Sequence, residues 1–413
     1  MSVMKKIREK GLRNSFRMIS VKLKKKTLFS RKNPGKLRKQ ELEKVFEKDY
    51  EKIIIFENHF GFYNIMLQRP QHLTKALSDD STLVLYNSFY DVDFKNQNRL
   101  EKLNDNFYII DLYFYRNSIF RLLETRKVKK YVMVYSTDTV KMNMIKIYQK
   151  HDFRVIYEYV DDINPDLISK KKVEEIVERH NMLIQDPASY VIATAGKLYD
   201  NVLEINKKAN VQLISNGADC STFLPEAQTS DEGYCSWLRD DKIKVGYYGA
   251  LANWVDYDLL KRIAQNQEFQ IILIGVKHDN SLEESGILEY DNVKYFGKIS
   301  YDLLAGYANK FDICTIPFLI NDITRATSPV KLFEYMSLQK PIVTTALPEC
   351  MKYNVVKVAR SKEEFVKLLF ELYEKKDDED YKKALKQCAL DNSWKAKAEA
   401  LVHFLESEEK IER

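Results

Sequence analysis

The sequence predicts an α/β protein made of two parallel-sheet domains in tandem. Short, continuous apolar runs such as 53–56 (IIIF), 131–136 (YVMVYS) and 269–275 (FQIILIG) recur along the chain, separated by helix-length mixed segments. That is the pattern of strands buried on both faces of a parallel sheet. The rhythm breaks across Phe223–Asp241, a stretch rich in acids and small polar residues that reads as a linker, and then restarts. At 413 residues, with 45% hydrophobic and 12% aromatic content, the chain can build two packed cores and is not globally disordered.

The chain opens with a basic extension, residues 1–45. Residues 1–40 hold 15 Lys or Arg against one acid, Glu9, so the net charge of +6 belongs to this arm and the remainder is acidic. Leu12, Phe16, Ile19 and Leu23 fall at helical spacing, with Lys6, Lys10, Arg13, Arg17 and Lys24 towards the other side. Such a segment can lie on an anionic membrane, each nearby cation adding about 1 kcal/mol. A solvated basic tail and a partner-docking helix are the alternatives. The body shows no basic stripe with interleaved stacking aromatics, which argues against nucleic-acid binding. Five cysteines without paired spacing argue for a reducing compartment and against zinc. No apolar run approaches the roughly 18 residues of a spanning helix and no signal peptide is visible, so a cytoplasmic location is expected.

The first domain, 46–225, is expected to carry strands at 53–56, 82–87, 107–112, 131–136, 154–160, 190–195 and 211–215. The second, 226–395, is expected to carry them at 244–248, 269–275, 293–296, 311–317, 342–345 and 355–359. A final helix, 396–413, preceded by Trp394 and carrying Leu401, Phe404 and Leu405, is expected to dock onto the body. In open α/β sheets ligands bind beyond the carboxyl ends of strands. Two such domains would face each other across a cleft.

Candidate site residues follow from that rule. The stretch Thr324–Thr345 (TRATSPVKLFEYMSLQKPIVTT) reads as a polar turn, a helix and a strand. Ser328 suits an N-cap and Pro329 the first helical position, which leaves the amides from Val330 onward, with Thr327 and Arg325 beside them, as a phosphate-sized anion site. Lys331 and Glu334, three apart, share a helix face, where a carboxylate can accept hydrogen bonds from sugar hydroxyls. A capped, surface-charged helix is the bland alternative. The loop 57–63 (ENHFGFY) places His59 beyond the first strand and Gly61 where backbone can approach a ligand, followed by Arg69 on the next helix. Asp161 and Asp162 follow the fifth strand; adjacent residues on extended backbone point oppositely, so Asp161 is the cleft-facing candidate, with capping of the next helix as the alternative. Gly249 follows the first strand of the second domain, where a backbone can approach a phosphate.

Together QRPQHL (68–73), VIATAGKL (191–198), ISNGADCSTF (214–223), YYGALANWVDYDLL (247–260) and SPVKLFEYMSLQKPIV (328–343) resemble the retaining GT-B glycosyltransferases of family 4, in their bacterial teichuronic acid, capsule and exopolysaccharide branch. The resemblance spans roughly residues 50–400. It implies two Rossmann-like domains facing a central cleft, a nucleoside diphosphate sugar held mainly by the second, with UDP favoured over GDP, and a lipid-linked or polysaccharide acceptor held by the first. It also implies retention of configuration and no metal or cofactor; the basic arm adds the expectation of a place on the inner face of the cell membrane. Glu334 matches the second glutamate of the family's paired motif, the ribose contact. The first glutamate's position is Ala326, and the basic pair usual after the glycine is missing beyond Gly249, so Arg325 and Lys331 would supply that charge. Asp161 stands where many relatives carry a histidine, and it or His59 would orient the acceptor or steady the oxocarbenium charge. A sugar-nucleotide epimerase on this fold and a non-catalytic, glycosyltransferase-like scaffold are the competing readings.

Overall fold

A computed structural model describes residues 34–63, 67–163 and 170–411; the basic arm before Pro34 lies outside them, and with it the expected amphipathic segment. The first sheet comprises β1 (Lys52–Phe56), β2 (Thr82–Asn87), β3 (Leu100–Asn104), β4 (Phe107–Ile110), β5 (Lys129–Tyr135), β6 (Arg154–Tyr159), β7 (Ser189–Ala193) and β8 (Val211–Leu213). Their spatial order is β3-β4-β2-β1-β5-β6-β7-β8, and every pairing is parallel except that of β3 with β4. Its helices are α1 (Pro34–Val45), α2 (Arg69–Leu77), α3 (Leu112–Leu123), α4 (Met142–Gln149), α5 (Lys170–Gln185) and α6 (Gly196–Ile205). Strand residues alternate between two faces. Ile53, Ile55, Val132 and Val134 enter one core, and Ile54, Phe56, Tyr131 and Met133 the other. Burial on both faces is why these strands read as unbroken apolar runs.

The second sheet comprises β9 (Ile243–Tyr248), β10 (Phe269–Ile274), β11 (Val293–Tyr295), β12 (Ile313–Ile316), β13 (Ile342–Thr345) and β14 (Lys357–Ala359), all parallel, in the order β11-β10-β9-β12-β13-β14. Its helices run from α7 (Glu232–Trp237) through α8 (Tyr257–Ala264), α9 (Ser281–Glu284), α10 (Tyr301–Ala308), α11 (Asp322–Arg325), α12 (Val330–Ser337), α13 (Lys362–Tyr373) and α14 (Glu379–Asp391). The fold is that of a two-domain α/β protein with parallel sheets.

Two details differ from the pattern read in sequence. The stretch Phe223–Asp241 is no free linker, since Phe223 and Tyr234 are fully buried in the second core. β3, an antiparallel edge strand, was not expected from its mostly polar residues (LEKLN). The last helix, α15 (Trp394–Ile411), crosses back to pack on α2, and Trp394, Leu401 and Leu405 close one core of the first sheet. The chain end thus ties the two halves together. Among the described residues no helix is long and apolar enough to cross a membrane.

Candidate active site

A cleft of about 530 Å³ opens between the carboxyl ends of the two sheets, a size typical of small-molecule sites. In the second sheet β9 has β10 on one side and β12 on the other, so the order of building reverses there and a crevice is left beyond the strand ends. Gly249 is the first residue past β9 and adopts φ +142°, where residues with a side chain are strained. A Cβ on Gly249 would stand 2.8 Å from Lys331 Cε and 3.1 Å from its Nζ, while one on Gly275, just past β10, would collide with the Gly249 carbonyl. Two glycines are therefore required to let backbone and the Lys331 ammonium meet.

Lys331 projects from the first turn of α12. Its Nζ lies 4.8 Å from the centre of the Phe318 ring and 5.4 Å from that of Tyr247, and among the described residues it has no ion-pair or hydrogen-bond partner. Burial pulls its pKa down to about 8, with the negative charge of Glu334 opposing the fall. The helix begins at Val330 with Pro329 at the cap position and no side chain capping it. Its first amides and positive dipole end are thus left for a ligand at the place where Lys331 sits. Ser328 does not act as the expected cap. Its hydroxyl accepts the Asn216 N–H (3.2 Å) and its carbonyl accepts Asn216 Nδ2 (2.6 Å), joining the turn to the first domain.

Glu334, one turn further, is 3% exposed and still contributes to the cleft wall. Tyr248 donates to Oε2 (2.8 Å) and Tyr301 to Oε1 (2.9 Å). Burial raises its pKa to about 7, while the two hydroxyls and Lys331 pull the other way. Each carboxylate oxygen retains acceptor capacity for one more hydroxyl.

Of the residues singled out in sequence, Arg69, Asp161, Gly249, Thr327, Ser328, Val330, Lys331 and Glu334 all line this cleft. They do not all offer free groups. The buried Arg69 guanidinium is committed to Glu158 and to the Ser215 carbonyl (3.0 Å), so it braces the loop beneath the cleft rather than presenting a cation. Thr327 donates its hydroxyl back to the Ile323 carbonyl (2.9 Å). Asp161 is open to the cleft but ringed by protein, and that partial desolvation, with Asp162 second, raises its pKa. Arg325 is exposed at the end of α11 and is not part of the cleft wall, so it does not supply the charge expected of it. Gly61 is not at the wall either: a Cβ there would meet the Tyr90 ring at 3.2 Å, and the following amides are held by Asp93. His59 lies on the same rim of the first sheet, paired with Asp138. Ala326 is 1% exposed and packs into the core of the first domain, where a glutamate would place a carboxylate in apolar surroundings.

Sequence reasoning missed Tyr248, Tyr301, Trp254 and the exposed Lys298, all on the cleft wall. Lys298 follows β11 and could have been found by the strand-end rule; the tyrosines are defined only by their contact with Glu334. Among the described residues no group of three His, Cys, Asp or Glu side chains is placed to hold a metal ion.

This geometry, a glycine-floored cation at an open helix end beside a buried carboxylate, is suited to a diphosphate joined to a hydroxyl-bearing ring. Comparison with known proteins gives the same direction. Residues 243–385 match the family model described as glycosyl transferases group 1. The chain is also similar to a putative teichuronic acid biosynthesis glycosyltransferase, TuaH, of Bacillus subtilis (strain 168). The two are 24% identical over 205 residues, which cover 46% of this chain and 51% of that protein, so the chain spans about half the length of the curated relative it matches. Among solved structures, a sucrose-phosphate synthase of Thermosynechococcus elongatus superposes with a TM-score of 0.65 at 13% identity, covering 87% of this chain and all of that one. The Anabaena protein Alr3699/HepE, in complex with UDP-glucose, superposes with a TM-score of 0.58 at 14% identity, covering 86% of this chain and 99% of that one. The fold is GT-B.

Proposed function

We propose that this chain is a glycosyltransferase that moves a sugar from a nucleoside diphosphate donor, UDP rather than GDP, to a lipid-linked or polysaccharide acceptor. The observation that carries this is Lys331: a half-buried ammonium with no protein partner among the described residues, held against Gly249 at an uncapped helix end, is a costly arrangement unless an anion completes it. The leaving diphosphate would lie on Lys331 and the α12 amides, with the exposed Lys298 at the same wall. That set neutralises its charge without a metal. Glu334 would take the ribose hydroxyls, and Asp161, on the opposite wall, would face the sugar as positive charge develops on it. In this reading the domain of residues 226–395 holds the donor and that of residues 46–225 the acceptor. The UDP-glucose complex of a protein of the same fold supports the choice of nucleotide, and the teichuronic acid assignment of the curated relative supports a cell-surface glycan. The basic arm would keep the enzyme on the inner face of an anionic membrane, near a lipid-linked acceptor.

A non-catalytic scaffold remains the second reading because Ala326 removes the family's donor-sugar carboxylate. Turnover separates the two, and thermal shift with a panel of UDP- and GDP-sugars tests the donor site itself. A donor at 100 times its Kd stabilises by about 2.7 kcal/mol, and that shift should vanish in Lys331→Ala and Glu334→Ala. No shift with any donor would sink the proposal.

A further inference from the structure

Two phenols hold the Glu334 carboxylate, and the first domain packs against one of them. Tyr248 ends β9 and donates to Oε2 (2.8 Å), while Tyr301 opens α10 and donates to Oε1 (2.9 Å). The carboxylate is therefore fixed at both oxygens, and all three residues line the cleft. Burial and the Glu334 charge hold the Tyr301 phenol far above its ordinary pKa, so it remains a hydrogen-bond donor. Against the Tyr301 ring stands His72 of α2, a first-domain helix, with ring centres 5.1 Å apart. His72 is in turn stacked on Trp394, the first residue of α15, at 5.3 Å and within 2° of parallel. The Phe223 ring meets Tyr301 edge-on at 5.3 Å. Burial lowers the His72 pKa, so its ring is neutral and acts on Tyr301 through contact rather than charge.

A carboxylate this buried costs free energy, and two neutral phenols satisfy only part of its acceptor capacity. As a packing element alone, Glu334 would be replaceable by an apolar side chain of similar size without that penalty. With one phenol on each oxygen, each oxygen keeps room for one further hydroxyl, which matches two vicinal hydroxyls on one ring. Glu334 lies three residues beyond Lys331, about 4.5 Å along α12. A ribose joined to a diphosphate on the first turn of that helix can span this separation.

We propose that Tyr301 is a positioning residue that sets Glu334 for the ribose hydroxyls of the nucleotide, and that His72 makes this setting depend on contact with the first domain. This rests on the donor reading above. The selectivity that follows is for a ribonucleotide over its 2′-deoxy and 3′-deoxy forms, because a missing hydroxyl leaves a buried, charged acceptor unpaired. When the domains part, His72 leaves Tyr301 and the phenol is free to turn, so the ribose is read most strictly with the cleft closed.

The test compares UDP, 2′-deoxy-UDP, 3′-deoxy-UDP and inorganic pyrophosphate by calorimetry. Wild type should bind UDP at least about tenfold more tightly than either deoxy form, the lower end for a hydrogen bond to a charged group. Tyr301→Phe keeps the ring contacts with His72 and Phe223 and removes the hydroxyl alone. It should reduce the preference at least about threefold for one or both deoxy forms. His72→Ala leaves the Tyr301 hydroxyl in place and should reduce the same preference by a similar factor, with the two changes together doing no more than either alone. Pyrophosphate, which has no ribose, should bind both variants as it binds wild type, which also shows that they fold. A structural role alone would weaken all three nucleotides equally and leave the preference unmoved. That result in either variant, or effects that add in the double variant, overturns this inference. So does a wild type that binds UDP no more tightly than its deoxy forms, and UDP binding itself then leaves the donor reading standing. No binding of UDP by wild type overturns both.

Discussion

Replacing Lys331 by methionine should make the ligand-free protein more stable and insensitive to diphosphate. Methionine matches the length of the lysine stem and can occupy the channel between Gly249, Tyr247 and Phe318 without the ammonium. The fall in the Lys331 pKa from 10.5 to about 8 corresponds to about 3 kcal/mol at 1.36 kcal/mol per tenfold change in proton affinity. Glu334 loses a favourable neighbour in the variant, so a net gain of about 1–3 kcal/mol is expected, a rise in Tm of about 2–12 °C for domains of this size. The wild type should also become more stable as pH rises from about 8 to 10.5, because the folded chain has already released the Lys331 proton while the unfolded chain still holds it. Lys331→Met should lack that rise. Its affinity for UDP, measured by calorimetry, should fall at least about 30-fold, the lower end of the cost of removing one partner of a desolvated charge pair. A variant less stable than wild type that binds UDP equally well would refute the assignment of Lys331 as an anion ligand.

Glu334→Gln should flatten a different part of the pH profile. The folded carboxyl keeps its proton up to about pH 7 while the unfolded one loses it above 4.5, so wild-type stability declines between those values and the variant's should not, with UDP affinity about tenfold weaker from the lost charge-assisted hydrogen bond. Gly249→Ala forces a side chain into φ +142° and into Lys331; about 1–3 kcal/mol of stability should go, and UDP should weaken while uridine, which lacks the diphosphate, binds as before. Deletion of residues 1–33 should reduce recovery with anionic vesicles in a sedimentation assay and leave UDP binding intact. The cut stops there because Leu42 and Val45 of α1 are buried in the first core.

Most of the sheet was legible in the sequence because β1, β2, β7 and β10 are buried at every position, and an unbroken apolar run needs no partner to be recognised. β3 was not, because an antiparallel edge strand buries only its first residues. The anion site was legible where it is local: Gly249 follows a strand, and Val330 and Lys331 open a helix. What sequence could not give were pairings across the chain. Arg69 is a candidate site residue by its place on the helix, and only the fold shows that Glu158, 89 residues away, engages its guanidinium. Ser328 was a cap until Asn216, 112 residues away, took its hydroxyl. Arg325 is next to the cleft-lining Thr324 and is nonetheless exposed and outside the cleft wall. The departure at Ala326 acquires a reason only in three dimensions, where that position is part of the contact between the domains.

The most direct measurement is transfer itself. The donor that gives the largest thermal shift, labelled in its sugar, is incubated with the full chain and a bacterial lipid extract, and both UDP and labelled lipid are quantified. The account predicts equimolar UDP and glycolipid, abolished in Lys331→Met. Tight, Lys331-dependent donor binding with no labelled product and no UDP release would contradict it and leave a nucleotide-sugar-binding scaffold.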